Sequence, residues 1–131
     1  MADPVQHPLS LVLQLKTGAT DPTSKVMNGL VGTAAPDILH FAWLIALDDK
    51  GKLLLSTVYD GDFDVYLDKF IDSSHASFDA IFPLIVDGPP TPVLDNRQAF
   101  HDFVRKNNIS PIPGTFFSAY PTLNVVAIQN C

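Results

Sequence analysis

The sequence predicts an α+β fold of the ferredoxin-like kind: a βαββαβ chain with an extra helix before the last strand, built on an antiparallel sheet. Three observations carry this. "LSLVLQLK" puts Leu9, Leu11, Leu13 and Leu15 on one side and Ser10, Val12, Gln14 and Lys16 on the other. "ILHFAWLIALDDKGKLLLSTVYD" holds two apolar β segments around a turn. Phe63, Tyr66, Leu67, Phe70 and Ile71 then recur at helical spacing straight after Asp60-Gly61. A chain of 131 residues is of single-domain length, so residues 1–131 are read as one domain.

The first strand, over 9–16, has one buried face. Asp21-Pro22 reads as an N-cap followed by proline at the first helical position, opening a short helix that turns Val26, Met27 and Leu30 inward and stops at Gly32. The hairpin follows. A three-residue loop Asp49-Lys50-Gly51, with glycine at the left-handed position, sets a register in which Asp48 faces Lys52, Ile45 faces Leu55, Trp43 faces Thr57, Phe41 faces Tyr59 and His40 faces Asp60. A four-residue loop would shift every pair by one. Both faces of the strand at 40–47 are apolar, and the face with Ala42, Leu44, Ala46 and His40 is expected to meet a second sheet.

Asp60 or Asp62 caps the next helix. A further short helix in "SSHASFDAIFPLI" is expected to be capped by Ser73 or Ser74 and to bury Phe78, Ile81 and Phe82. "VDGPPTPV" is a loop. "LDNRQAFHDFVRKNN" is a helix capped by Asp95, burying Ala99, Phe100, Phe103 and Val104, with Arg105-Lys106 at its negative end. "GTFFSAY" reads as the last strand, and "TLNVVAIQN" as a terminal helix or strand.

Composition narrows the function classes. Apolar residues are 47% and charged residues 17%, so part of the surface is expected to be subunit interface. Helices on one face of the sheet would leave the other to a second copy, a homodimer of the dimeric α+β barrel type. A net charge of −6, with Lys and Arg scattered, argues against nucleic acid and anionic membrane as partners. The one cysteine, Cys131, closes no internal bridge. The start lacks the basic and apolar regions of a signal peptide, so a cytoplasmic protein is expected.

Asp60-Gly61-Asp62-Phe63-Asp64 begins like a calcium loop, but Val65 stands at the turn glycine and Ile71 at the closing glutamate, so no metal site is expected. Asp60 beside His40 forms half of a general-base arrangement, and these two are the candidate catalytic residues. No nucleophile elbow accompanies them. Trp43, Ser118 and Tyr120, with Phe41 and Phe116, could line a ligand pocket between sheet and helices. His75 and His101 are expected to be solvated.

"LHFAWLIALDDKGKLLLSTVYDGDFDVYLDKFID" and "FFSAYPTLNVVAIQN" resemble a group of largely uncharacterised bacterial domains that share an H-F-A-R-W type strand, a Y-D-G-x-W-x-x-Y-L-x-D-F turn and helix, and an S-A-Y-P-x-L-x-V segment. The resemblance spans roughly residues 38 to 130, with the arginine missing at Ala42-Trp43 and Phe63 in place of tryptophan. It implies a dimeric α+β barrel, a superfamily similar in fold to haem peroxidases and cofactor-free monooxygenases. Fold alone does not select an activity. The leading expectation is a small dimer of unknown function that binds a small molecule without a cofactor; the alternative is an oxidoreductase, with haem as the cofactor in its peroxidase form. Thr57-Val58-Tyr59-Asp60-Gly61 only partly resembles the G-x-x-D-G motif of dye-decolorising peroxidases, since threonine replaces the first glycine.

Overall fold

The computed structural model describes residues 4–16, 37–48 and 50–130. The helix expected over 21–32 lies outside them. The fold is α+β: a three-stranded antiparallel sheet of β1 (Gln6–Gln14), β2 (Leu39–Ala46) and β3 (Lys52–Asp60), ordered β1-β3-β2, with helices α1 (Phe63–Ile81), α2 (Arg97–Asn107) and α3 (Val125–Gln129). Among the described residues no helix is long and apolar enough to cross a membrane.

The alternation seen in the sequence is the core pattern. Leu9, Leu11 and Leu13 of β1 and Leu53, Leu55, Thr57 and Tyr59 of β3 are buried against the helices. The stripe Tyr66, Leu67, Phe70 and Ile71 of α1 packs on them, and Phe100, Phe103 and Val104 of α2 close the same core. Its centre is a run of rings. Tyr59 and Tyr66 stack at 4.1 Å, Phe70 meets Phe78 at 5.3 Å, and Phe78 meets Phe100 at 5.0 Å. Aromatic pairs of this kind add to simple area burial.

Two of these rings carry hydroxyls, and their removal from water favours the neutral phenol. Tyr66 donates to Thr57 Oγ1 at 2.9 Å, and its burial holds its ionisation far above the usual tyrosine range. Burial, helped by the Asp62 charge, pushes Tyr59 up to about 12. Between the unfolded value near 10 and that folded value, the native state keeps a proton that the unfolded chain releases, so stability falls as pH rises through this window. Phenolate absorbance of Tyr59 and Tyr66 is therefore expected to develop only well above pH 10 in the native protein and to return to ordinary tyrosine behaviour in denaturant.

The hairpin register differs from the expected one by one residue. Ile45 pairs with Leu54, Trp43 with Ser56 and Phe41 with Val58, so the turn is the four-residue kind over 48–51. The cause is Asp48, whose Oδ1 accepts from Lys50 N at 2.9 Å and Lys52 N at 3.1 Å and wraps the wider turn. These backbone bonds hold its carboxyl below the usual range. Gly51 takes the left-handed conformation expected of it, at φ +90°.

Because side chains alternate, this shift exchanges the faces of β2. Leu44 packs on the core beside the helices, while Phe41 (65% exposed) and Trp43 (46% exposed) stand on the open face with Ile45. The expected assignment, with the small-residue face open, is thus reversed. The register changes again between Leu39 and Phe41, where Leu39 pairs with Tyr59 across a bulge at His40.

Other boundaries are also corrected. The two helices expected over 63–85 are one helix with a kink, since Ser74 has φ −130° and ψ 17°. Ser73 does not cap: its hydroxyl donates back to Lys69 O at 2.9 Å, a bond that competes with helix geometry. Asn96, not Asp95, occupies the N-cap of α2, because Val93–Asp95 forms a separate short turn. Asp62 does cap α1, accepting from Asp64 N and Val65 N at 3.0 and 3.1 Å.

No strand forms at Gly114–Tyr120, contrary to expectation. The outer edge of β1 is met instead by three separate pieces of chain. Val5 N donates to Pro121 O, Ile109 N to Ser10 O, and Val86 N to Gln14 O. Pro8 interrupts this edge with no N–H to offer, and Pro111 and Pro113 remove donors before the turn that Thr115 N closes on Ile112 O. A continuous fourth ladder has too few donors on either side. The last segment ends as the helix α3, capped by Asn124 Oδ1 accepting from Ala127 N at 2.7 Å.

Candidate functional site

His40 and Asp60 meet at one end of the sheet. Asp60 ends β3, and the bulge re-aims the His40 side chain so that its Nε2 lies 2.6 Å from Asp60 Oδ1. The two side chains are 5% and 8% exposed. The other carboxylate oxygen, Oδ2, accepts from Val125 N at 2.7 Å, at the start of α3. An ionised carboxylate only accepts hydrogen bonds, so His40 Nε2 is the donor. A neutral imidazole with its proton on Nε2 keeps a bare lone pair on Nδ1. Among the described residues nothing hydrogen-bonds that second nitrogen.

The segment 116–125 is drawn over this end of the sheet by Gln6. Its amide Nε2 donates to Tyr120 O at 2.8 Å and to Leu123 O at 2.9 Å, and its Oε1 accepts from Ser118 Oγ at 2.6 Å. Between the segment and the open face lies a cavity of about 450 Å³. Phe41, Trp43, Phe116, Ser118 and Tyr120 line it, with His40 in its wall. The structure therefore brings together His40, Trp43, Ser118 and Tyr120, with Asp60 behind His40. It does so on the open face and not between the sheet and the helices α1 and α2, because the register exchange carried Phe41 and Trp43 there.

Five wall residues carried no signal in the sequence: Gln6, Val58, Phe117, Ala119 and Ile128. Val58 and Phe117 belong to segments read as strands, and Ile128 to an undecided one. Gln6 stands at the start of β1, where nothing in spacing distinguishes an anchoring amide from a solvated one. Ser118, expected to meet ligand, is committed within the protein, since its hydroxyl also accepts from Tyr120 N at 3.3 Å.

A second cluster of charged groups lies between α1 and α2. Asp64, Asp68 and Asp72 recur every four residues on α1, as do Arg97, His101 and Arg105 on α2. Arg97 pairs with Asp72 and, at 3.4 Å, with Asp68; Arg105 pairs with Asp64. His101 sits between them, with Nδ1 3.1 Å from Asp64 Oδ1 and Nε2 3.0 Å from Asp68 Oδ1. It is buried at 8% exposure, not solvated as expected, and His75 is half-buried. The hydrogen bond to Asp72 raises the Arg97 guanidinium above its ordinary value. Every group here is satisfied by another, and the arrangement zips two helices together.

Comparisons with protein-family models, with curated proteins and with solved structures give no match.

Proposed function

We propose that this protein is a small-molecule-binding domain that works as a homodimer paired through its open sheet face, with Asp60 and His40 as the polar corner of the binding cavity. One observation carries the reading: an apolar, largely aromatic cavity of about 450 Å³ converges on a single oriented His/Asp pair. That volume falls in the range of ligand sites, which combine apolar walls with a few placed polar groups.

A ferredoxin-like architecture underlies the proposal. β1 and β2 are each antiparallel to β3 between them, hence parallel to one another, as in a split βαβ unit. Parallel strands require a crossover connection, which residues 17–36 provide the length for. The three stretches that resemble the uncharacterised bacterial domains also converge: Ala42-Trp43 on β2, Asp60-Gly61 before α1, and Ser118 to Pro121 beside the cavity.

A second copy is the natural cover for the open face. Its positions are Pro8, Ser10, Val12 and Gln14 on β1, Leu54, Ser56 and Val58 on β3, and Phe41, Trp43 and Ile45 on β2. None is charged; Lys52 and Asp60 stand only at the two ends. In a chain of net charge −6, self-association is easiest through a face that carries no charge.

The oxidoreductase alternative draws on the same Asp60–His40 pair as an acid/base couple. Haem suits the cavity poorly, because among the described residues its lining contains no Lys or Arg to meet the propionates. A Soret band, or stoichiometric uptake of haemin, would favour that alternative over a cofactor-free binding domain.

Trp43 is the single tryptophan and lines the cavity, so its emission reports occupancy. Titration with toluene is expected to change that emission saturably. A flat response up to the solubility of toluene would overturn the binding reading.

A further inference from the structure

We infer that the cavity selects a neutral aromatic ring bearing one hydrogen-bond donor, the phenol class, and that His40 Nδ1 is the atom that accepts that donor. This rests on the binding reading above and names the chemistry that would satisfy it. Phe41, Trp43, Phe116 and Tyr120 present flat aromatic surface, which favours a planar apolar body. Among the described residues the lining has no charged side chain apart from the ionisable His40, so none of them offsets the desolvation of a carboxylate or an ammonium.

The polar side chains of the wall then determine what the ligand must bring. Gln6 spends both ends of its amide on the C-terminal segment. Ser118 donates to Gln6 and accepts from Tyr120 N. The Trp43 indole N–H and the Tyr120 hydroxyl belong to side chains that are 46% and 65% exposed and so remain open to water. Among the described residues of the wall, His40 is the one that keeps an uncommitted atom in a nearly buried side chain, and Asp60 determines its character. With the proton held on Nε2, Nδ1 accepts and cannot donate. A ligand with only an acceptor finds no complement at His40 Nδ1, whereas a phenolic O–H does. A site built to receive a hydrogen bond discriminates strongly against the analogue that lacks it.

Phenol, anisole and toluene separate these contributions. Anisole is phenol with the donor methylated, and it is the more apolar of the two, so burial alone would rank it first. In the unmodified protein all three are expected to change Trp43 emission, with phenol binding at least ten times more tightly than anisole. Asp60→Asn then tests the cause. The asparagine carbonyl can still accept from Val125 N, but its amide donates to His40 Nε2, which moves the imidazole proton to Nδ1. The tenfold preference is expected to fall below threefold, and the ratio of phenol to toluene affinity to fall with it.

His40→Phe, which keeps a ring and removes both nitrogens, is expected to lose the preference in the same way and carries the test if Asp60→Asn does not fold. Equal binding of phenol and anisole, or a preference that survives either substitution in a folded variant, would overturn the assignment while leaving a binding cavity in place. A response to none of the three probes would overturn the cavity's binding role and this assignment with it.

Discussion

Asp60→Ala is expected to destabilise the fold by about 2–6 kcal/mol, because it strips the partner from two buried donors at once and each unsatisfied group costs about 1–3 kcal/mol. The donors are His40 Nε2, 2.6 Å from Asp60 Oδ1, and Val125 N, 2.7 Å from Oδ2. One carboxylate thus joins the bulge of β2, the end of β3 and the start of α3. Denaturant unfolding measures the loss directly, and amide exchange at Val125 should speed up by more than the global change explains. Asp60→Asn keeps both hydrogen bonds with one reversed in direction, so it should remain within about 1 kcal/mol of the parent. If alanine were tolerated as well as asparagine, the carboxylate would not be holding these elements together.

Trp43→Asp is expected to weaken the proposed dimer at least a hundredfold. In a twofold interface each copy presents the same patch, so one substitution places two carboxylates in an apolar contact. Neither would have a cation opposite it, since the surrounding open-face positions are uncharged. Equilibrium sedimentation should report the parent at twice the 14.3 kDa of one chain and the variant at 14.3 kDa over the same micromolar range. Val65→Asp serves as the control, since Val65 is exposed on the first turn of α1, where a carboxylate suits the helix. Sedimentation of the parent as a single chain at high concentration would remove the second copy from the proposed function.

The buried stripes were legible because burial repeats with a period: Leu9, Leu11 and Leu13 every second residue, and Tyr66, Leu67, Phe70 and Ile71 along one helical face. Register was not, because it depends on a single turn. Gly51 adopts its left-handed conformation in the four-residue loop as readily as it would in a three-residue one, and what decides between them is the Asp48 side chain wrapping Lys50 N and Lys52 N. From that shift follow the exchanged faces of β2 and the relocated cavity. The missing last strand has a similar origin: Phe116 and Phe117 suit a strand, but the edge they would join is interrupted by Pro8.

The His40–Asp60 contact is instructive for a different reason. A three-residue turn would place the two residues opposite each other, yet the actual register does not; the bulge at His40 shifts the pairing further, so that Asp60 N bonds Ile38 O, and the two meet because the bulge re-aims the His40 side chain toward Asp60. Nothing in the spacing of His40 and its neighbours announces a bulge. The burial of His101 was hidden in the same way, because its partners Asp64 and Asp68 lie on another helix and only the packing of α1 on α2 brings them within 3.1 Å.

The patched margin of β1 limits how these molecules can assemble. A filament grown by adding strands needs two open borders per molecule, one to receive and one to offer. Here one border has carbonyls at Ser10 and Gln14 already occupied and a proline between its ends, so among the described residues only the β2 side is left to accept a neighbour in that manner. A unit with a single joinable border terminates after one such encounter, so strand addition at that border cannot propagate into fibres.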